Sequence, residues 1–280
     1  MIKKIFDLFE KYCAHFILVY NSPYNRIIDK FTAFWILNIL YIKSRIRPNP
    51  KKEITFKIFK FKVTAYSYAT LFYLFKEIFL NREYYFESAK PDLKIIDCGA
   101  NIGMSVLYFK SIYPDCSIIA FEPNPFVFSL LKKNIEQNNL KGITLYNIGL
   151  SDENKVEEFF LSENKGSLTG SLNKDRGGEN TIKIKTEKLS DYLKTDMFDL
   201  VKMDVEGSET IVLNELKNSK VIRNSRRYII EYHHKMNNSK SNLSEFILPF
   251  ENNDFEYNVR TSFSEIGDFQ DILISAYRGL

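Results

Sequence analysis

Residues 94–103, KIIDCGANIG, constrain this chain more than any other stretch. An apolar run stops at Asp97, and Gly99, Asn101 and Gly103 follow at alternate positions. An apolar run bounded by glycine reads as a buried strand that turns directly into a helix. Glycine lets the backbone approach a ligand because no Cβ stands in the way. In an open α/β sheet, ligands bind beyond the carboxyl ends of the strands, which is where this turn falls. The turn does not carry the dinucleotide fingerprint Gly-x-Gly-x-x-Gly, since Asp97 holds the first glycine position and Ile102 the third. A carboxylate there repels a pyrophosphate. It suits a ligand with a cationic group, such as the ammonium of an amino acid.

From residue 89 onward the chain alternates strand and helix. Strands are expected at LKIIDCG, SIIAFEP, ITLYNIGL, FDLVKMDVEG and RRYIIEYH. Helices are expected over 103–112 and 125–139, from DVEG to about 217, and over 241–250. FEYNVR and DILISAYR close the chain as an antiparallel pair. Repeated βα units require a parallel sheet with helices on both faces. The expected fold is α/β: a Rossmann-like, doubly wound, mostly parallel seven-stranded sheet with an antiparallel final strand at its edge. Residues 153–197 are too many for an ordinary connection between the third and fourth strands. KVEEFFLSE and NTIKIKTEKL read as two extra strands flanking the Gly- and Ser-rich stretch 164–178. This β insertion is placed to form part of a substrate mouth.

Residues 1–88 form a basic, aromatic extension ahead of the body at 89–280. Residues 1–44 read as helical with a break at 20–25, and the prolines of RIRPNPKK mark a connector. EITFKIFKFKVTAY alternates as a strand or hairpin does, and SYATLFYLFKEIFLN returns to helical spacing. Residues 1–90 carry 16 Lys and Arg against 7 Asp and Glu, and the remainder carry 23 against 28. A basic leader on an acidic body points to an anionic neighbour. The longest apolar run, 31–42, has 12 residues, where a membrane span needs about 20. The leader is therefore expected to fold onto the body or to attach peripherally to a membrane surface. The three cysteines, Cys13, Cys98 and Cys116, have no CxxC spacing and read as reduced thiols of a cytoplasmic protein.

Two further stretches narrow the ligand. Glu122 ends the strand after Asp97, where a carboxylate can accept both hydrogen bonds of a ribose diol. Ser151 and Asp152 follow the third strand, in position to contact an adenine. A nucleoside joined to an amino acid, without phosphate, describes S-adenosylmethionine.

IIDCGANIGMS, AFEPNP, NIGLSD, LVKMDVEGSE and IIEYHH, in that order over residues 95–234, together resemble the FkbM family of methyltransferases within the class I S-adenosylmethionine-dependent fold. The resemblance implies that Asp97, Gly99, Asn101 and Gly103 form the loop around the methionine end. It implies Glu122 on the ribose with Asn124 beside it, Asp152 near the adenine, and Asp204 facing the sulfonium and the acceptor. O-methylation is the implied chemistry, with a sugar, glycan or other small-molecule hydroxyl as acceptor. Residues 1–85 lie outside the resemblance.

An alcohol is a poor nucleophile until its proton begins to leave, so a base is expected near the acceptor. Glu231 and His233 fall on one face of the fifth strand and His234 on the other. Asp204, Glu206 and Glu209 could take a hard cation or cap the next helix. No further ligand is identifiable, so no metal is assigned. Lys202, inside the fourth strand, reads as a snorkelling or paired lysine. Two other readings remain: a nucleic-acid methyltransferase docked by the basic extension, and a binding protein of the same fold without catalysis. None of the familiar nucleic-acid modules is present to support the first.

Overall fold

A computed structural model describes residues 2–22, 24, 26–47, 52–161, 170–174, 178–235, 242–261 and 270–279. Half of the proline-rich connector (48–51) and most of the Gly- and Ser-rich stretch (164–169 and 175–177) lie outside the described residues. The chain divides into two units, Met1–Tyr85 with Glu136–Asn138, and Phe86–Ile135 with Asn139–Leu280.

In the first unit, helix α1 (Ile2–Tyr20) pairs with α2 (Ile27–Ile46). Helix α2 buries Ala33, Ile36, Leu37 and Leu40, a helical spacing that makes one apolar stripe. Asn38 on the same stripe donates through Nδ2 to the Phe34 carbonyl at 2.8 Å. Its Oδ1 therefore accepts from His15 Nδ1 of α1, also at 2.8 Å. This satisfies a buried polar pair that would otherwise be costly. Burial lowers the pKa of His15, against the pull of its hydrogen bond to Asn38. Strands β1 (Ile54–Ile58) and β2 (Phe61–Ala65) form an antiparallel hairpin. Helix α3 (Tyr68–Leu74) starts at Ser67, whose hydroxyl accepts from Thr70 N at 3.0 Å. It runs on into a π-helical turn at Phe75–Leu80.

The second unit is built on a seven-stranded sheet. Strand β3 (Lys94–Cys98) lies parallel to β4 (Ser117–Phe121), and β4 to β5 (Ile143–Tyr146). Helices α4 (Met104–Ile112) and α5 (Pro125–Gln137) make the connections. After β5 the chain leaves for a second sheet of four strands, β6 (Gly149–Ser151), β7 (Lys155–Leu161), β8 (Gly170–Ser171) and β9 (Asn180–Lys188). The apolar run ITLYNIGL is thus two strands in two sheets. The break falls at Asn147, whose Nδ2 donates to the carbonyls of Glu122 and Pro123 at 2.8 and 3.1 Å.

A short helix α6 (Ser190–Leu193) returns the chain to the main sheet on the other side of β3. There β10 (Leu200–Met203) pairs parallel with β3, and β11 (Arg227–His234) with β10, linked by α7 (Glu209–Asn218). After α8 (Leu243–Glu251), β12 (Glu256–Thr261) and β13 (Gln270–Tyr277) form a hairpin. The final strand β13 is antiparallel, but it pairs with β11 and leaves β12 at the edge. Their sequences explain the order. Ile272, Ile274 and Ala276 of β13 are buried, whereas β12 offers Glu256, Asn258 and Arg260 and stays largely exposed.

All four residues of β10 are buried, as a central parallel strand requires. Ile96 and Cys98 of β3, Val201 and Met203 of β10, and Tyr228 and Ile230 of β11 share one apolar core with Leu216 and Phe250. The fully buried Tyr228 satisfies its hydroxyl by donating to the Ile222 carbonyl at 2.8 Å.

The order in which strands are added to the sheet reverses between β3 and β10, which makes their carboxyl ends a topological switch point. Gly99 closes β3 at φ +81°, and a Cβ there would stand 1.8 Å from the Asp204 carbonyl oxygen. Gly99→Ala is expected to destabilise the protein by more than about 2 kcal/mol, through strained φ and this backbone clash. A urea unfolding midpoint equal to that of the unaltered protein would contradict that account.

Candidate functional site

At the switch point lies an open cleft of about 640 Å³. Its polar wall comes from Gly99 and Asn101 after β3, and from Glu122 and Asn124 after β4. Val127, Ile148 and Leu150 make an apolar wall, and Asp204 and Glu206 after β10 close a third side. Phe159, Gly170 and Leu172 of the inserted sheet also line it.

The loop after β3 is pinned to β4. Gly99 N and Ala100 N both donate to the Phe121 carbonyl, at 3.0 and 2.8 Å. Asn101 adopts φ +49° and sends its N–H to Glu122 Oε2 at 2.9 Å. Asn124 N donates to the other carboxylate oxygen, Oε1, at 2.9 Å. Glu122 is therefore locked in orientation by one amide on each oxygen. Each oxygen keeps a lone pair for a further donor. Burial pushes the Glu122 pKa up to about 7, against the pull of the two amides. The Asn124 side chain caps α5, its Oδ1 accepting from Phe126 N at 3.0 Å.

Asp97 has no exposed surface and is not among the cleft-lining residues. Its Oδ2 accepts from Ser105 Oγ at 2.5 Å, and its Oδ1 lies 3.2 Å from Lys202 Nζ. The Lys202 ammonium donates to the carbonyls of Gly99 at 2.7 Å and Cys98 at 3.4 Å, and stands 3.7 Å from Asp204 Oδ2. Lys202 is thus a paired lysine beneath the loop. Burial works against its charge, but Asp97 and Asp204 outweigh that and raise its pKa. Gly103 opens α4 at φ +89°, and a Cβ on it would come within 2.7 Å of Leu131 Cδ1. Its place in the loop serves close packing of α4 against α5.

The three acceptor-side candidates separate. Asp204 lines the cleft with its side chain 23% exposed. Burial pushes its pKa up to about 6, opposed by Lys202 and assisted by Glu206. His233 is buried behind that wall. Its Nδ1 lies 3.0 Å from Glu209 Oε1, and its Nε2 lies 3.4 Å from Glu206 Oε2 and 3.8 Å from Asp271 Oδ1. Burial disfavours its charge, yet Glu209, Glu206 and Asp204 hold its pKa far above the ordinary value, so the ring is an imidazolium at neutral pH. Glu231 faces the same cluster and does not line the cleft. His234 is on the opposite face of β11, with its ring 5.6 Å from that of Tyr232.

Ser151 and Asp152 do not line the cleft either. Ser151 is buried and donates to Asp152 Oδ1 at 3.2 Å, and the Asp152 carboxylate is exposed beside Lys155. At this wall the lining residues are instead Ile148, Gly149 and Leu150, just upstream. Two groupings could hold a hard divalent cation. Asp204, Glu206 and His233 bring ligand atoms within 4.8 Å of one another, and so do Glu231, His233 and Asp271. Sequence reasoning put His233 on the same crevice as Asp204, but its cation grouping held only Asp204, Glu206 and Glu209, without His233 or Asp271. Only the pairing of β13 beside β11 places Asp271 opposite His233.

Removing one member of a buried ion pair leaves the other charge stranded, at a cost of about 3–5 kcal/mol. Lys202→Met is expected to lower the unfolding free energy by about that much, and adding Asp97→Leu to recover part of it. Additive losses in urea titrations of the single and double variants would show that the pair is not coupled.

The family model described as the methyltransferase FkbM domain matches residues 97–257. Methyltransferase 1 of Beauveria bassiana is 30% identical over 165 residues, which cover 51% of this chain and 66% of that protein. The 31-O-demethyl-FK506 methyltransferase FkbM of Streptomyces tacrolimicus is 35% identical over 72 residues, 25% of this chain and 28% of its own. The crystal structure of methyltransferase FkbM from Methylobacillus flagellatus aligns with a TM-score of 0.45 at 16% identity, over 74% of this chain and 54% of that one. The chain therefore spans less than two thirds of the length of each of these proteins.

Proposed function

The chain belongs to the FkbM methyltransferase family, and on that premise we propose that it methylates a hydroxyl of a sugar, glycan or other small acceptor with S-adenosylmethionine as donor. The observation that carries this reading is Glu122. Its two oxygens are anchored by backbone amides and lie in the wall of a cleft that is polar on one side and apolar on the other. A vicinal diol supplies two donors at the matching spacing, and Val127, Ile148 and Leu150 offer the apolar surface a flat purine needs. Gly99 and Asn101 leave room along the backbone for the amino-acid end. Asp97 supports that loop through Lys202. The residues fit the donor, which when bound supplies a sulfonium-activated methyl carbon.

The chain's own part in the chemistry is positioning and proton transfer. Asp204 is ionised at neutral pH, reaches the cleft and takes the proton of the acceptor hydroxyl. His233, held protonated by Glu209 and Glu206, positions these carboxylates and balances their charge. Glu231 belongs to that supporting layer. An oxygen acceptor is consistent with the Streptomyces relative, a 31-O-demethyl-FK506 methyltransferase by name.

Glu122→Ala deletes two charge-assisted hydrogen bonds, each worth about 1.5–3 kcal/mol, so affinity for S-adenosylmethionine should fall at least about tenfold. Calorimetry on the folded variant measures this, and an unchanged affinity would overturn the assignment of Glu122. Asp204→Asn should lower turnover by about 10²–10⁴ with little change in donor affinity. Because the base works ionised, turnover of the unaltered protein should rise with pH through about 6 and then level off, and this step should vanish in Asp204→Asn. A full-rate Asp204→Asn enzyme would transfer the role elsewhere.

A further inference from the structure

We infer that the exposed face of the α1–α2 pair is a membrane-surface site, seated on a bilayer that carries anionic lipid. The inference concerns the first unit alone and does not depend on the chemistry proposed for the second.

Between residues 27 and 42 of α2, every exposed position is apolar. Ile27, Phe31, Trp35 and Ile42 recur at helical spacing, and Ile27 is 82% and Trp35 54% exposed. Phe16 and Tyr20 of α1 continue the face, and an apolar groove runs between the two helices. Contiguous exposure on this scale marks an interaction surface. The opposite stripe of α2 is already committed, since Ala33, Ile36, Leu37 and Leu40 are buried within the unit. Among the described residues no helix is long and apolar enough to cross a membrane. The face can therefore lie in the plane of an interface and cannot thread through it.

Charge selects the occupant. Residues 26–47 hold five Lys and Arg against one Asp, and that Asp29 is paired with Arg26 at 2.7 Å. The bases cluster at both ends of the apolar stripe, Arg26 and Lys30 at one and Lys43, Arg45 and Arg47 at the other. A second copy of this chain would bring basic ends against basic ends in either orientation. A layer of anionic headgroups neutralises both ends at once, while the aromatic side chains settle at the level where indole and phenol rings are favoured.

The chain contains a single tryptophan, and Trp35 is on this face, so its fluorescence reports the event directly. The full chain would be mixed with phosphatidylcholine vesicles, with and without phosphatidylglycerol. The expected result is a shift of Trp35 emission to shorter wavelength with the anionic vesicles, quenching by brominated acyl chains, and release at high salt. Phe31→Ser with Ile42→Ser keeps the reporter and should weaken partitioning at least about tenfold, because several buried CH₂ equivalents are lost. Emission unchanged by anionic vesicles would overturn the inference. So would a blue shift that grows with protein concentration in the absence of lipid, which would make a second copy the occupant.

Discussion

Lys202 donates to the carbonyls that end β3, lies against Asp97 inside that strand, and stands beside Asp204 at the end of its own. Both partners in the ion pair are essentially without solvent contact. Such a pair adds little net stability compared with apolar residues, because two charges must be stripped of water. What it does enforce is geometry, since neither charge tolerates loss of the other. The carboxyl ends of two adjacent parallel strands are thereby held at one height. Gly99 and Asp204 can then face one another across the switch point, with Asp204 N bonded to the Cys98 carbonyl at 3.0 Å.

The surrounding charges follow from that anchor. Acids crowd the third side of the cleft and the layer behind it: Asp204 and Glu206 line it, and Glu209, Glu231 and Asp271 stand behind, with Lys202 and His233 as cations among them. Burial and mutual repulsion lift Glu122 and Asp204 toward neutrality. A cationic ligand entering here relieves repulsion that the folded chain would otherwise carry. One oxygen of Glu209 accepts from Val205 N, Gly207 N and the His233 ring, so the tight loop after β10 and the end of β11 share one anchor.

Much of this was legible in the sequence because it rests on local periodicity. The βα alternation and the glycine loop after β3 are written in runs of a few residues. Glu122 could be placed for the same reason, since it ends a recognisable strand. Other features depend on partners far away in the chain. Asp97 sits in the glycine loop's sequence, but its side chain turns inward to Lys202, more than a hundred residues later. His233 could be put on the same strand face as Glu231. Its protonation depends on Glu206 and Glu209, which no period in β11 can reveal. ITLYNIGL reads as one continuous strand, and nothing in its pattern announces that Asn147 diverts it into another sheet. The position of β13 inside the sheet required weighing its alternation against the polar character of β12.

That diversion at Asn147 divides responsibility for the cleft. The wall bearing Glu122 grows from the main sheet, whose strand ends are fixed by the buried pair and the apolar core. The facing wall, with Gly149, Leu150, Phe159 and Gly170, belongs to a small sheet with its own hydrogen-bond ladder. Substitutions, insertions and deletions in the small sheet leave the ladder of the large one intact. A lineage can therefore remodel one side of the cleft by trading one modest appendage, while inheriting the wall that bears Glu122 unchanged.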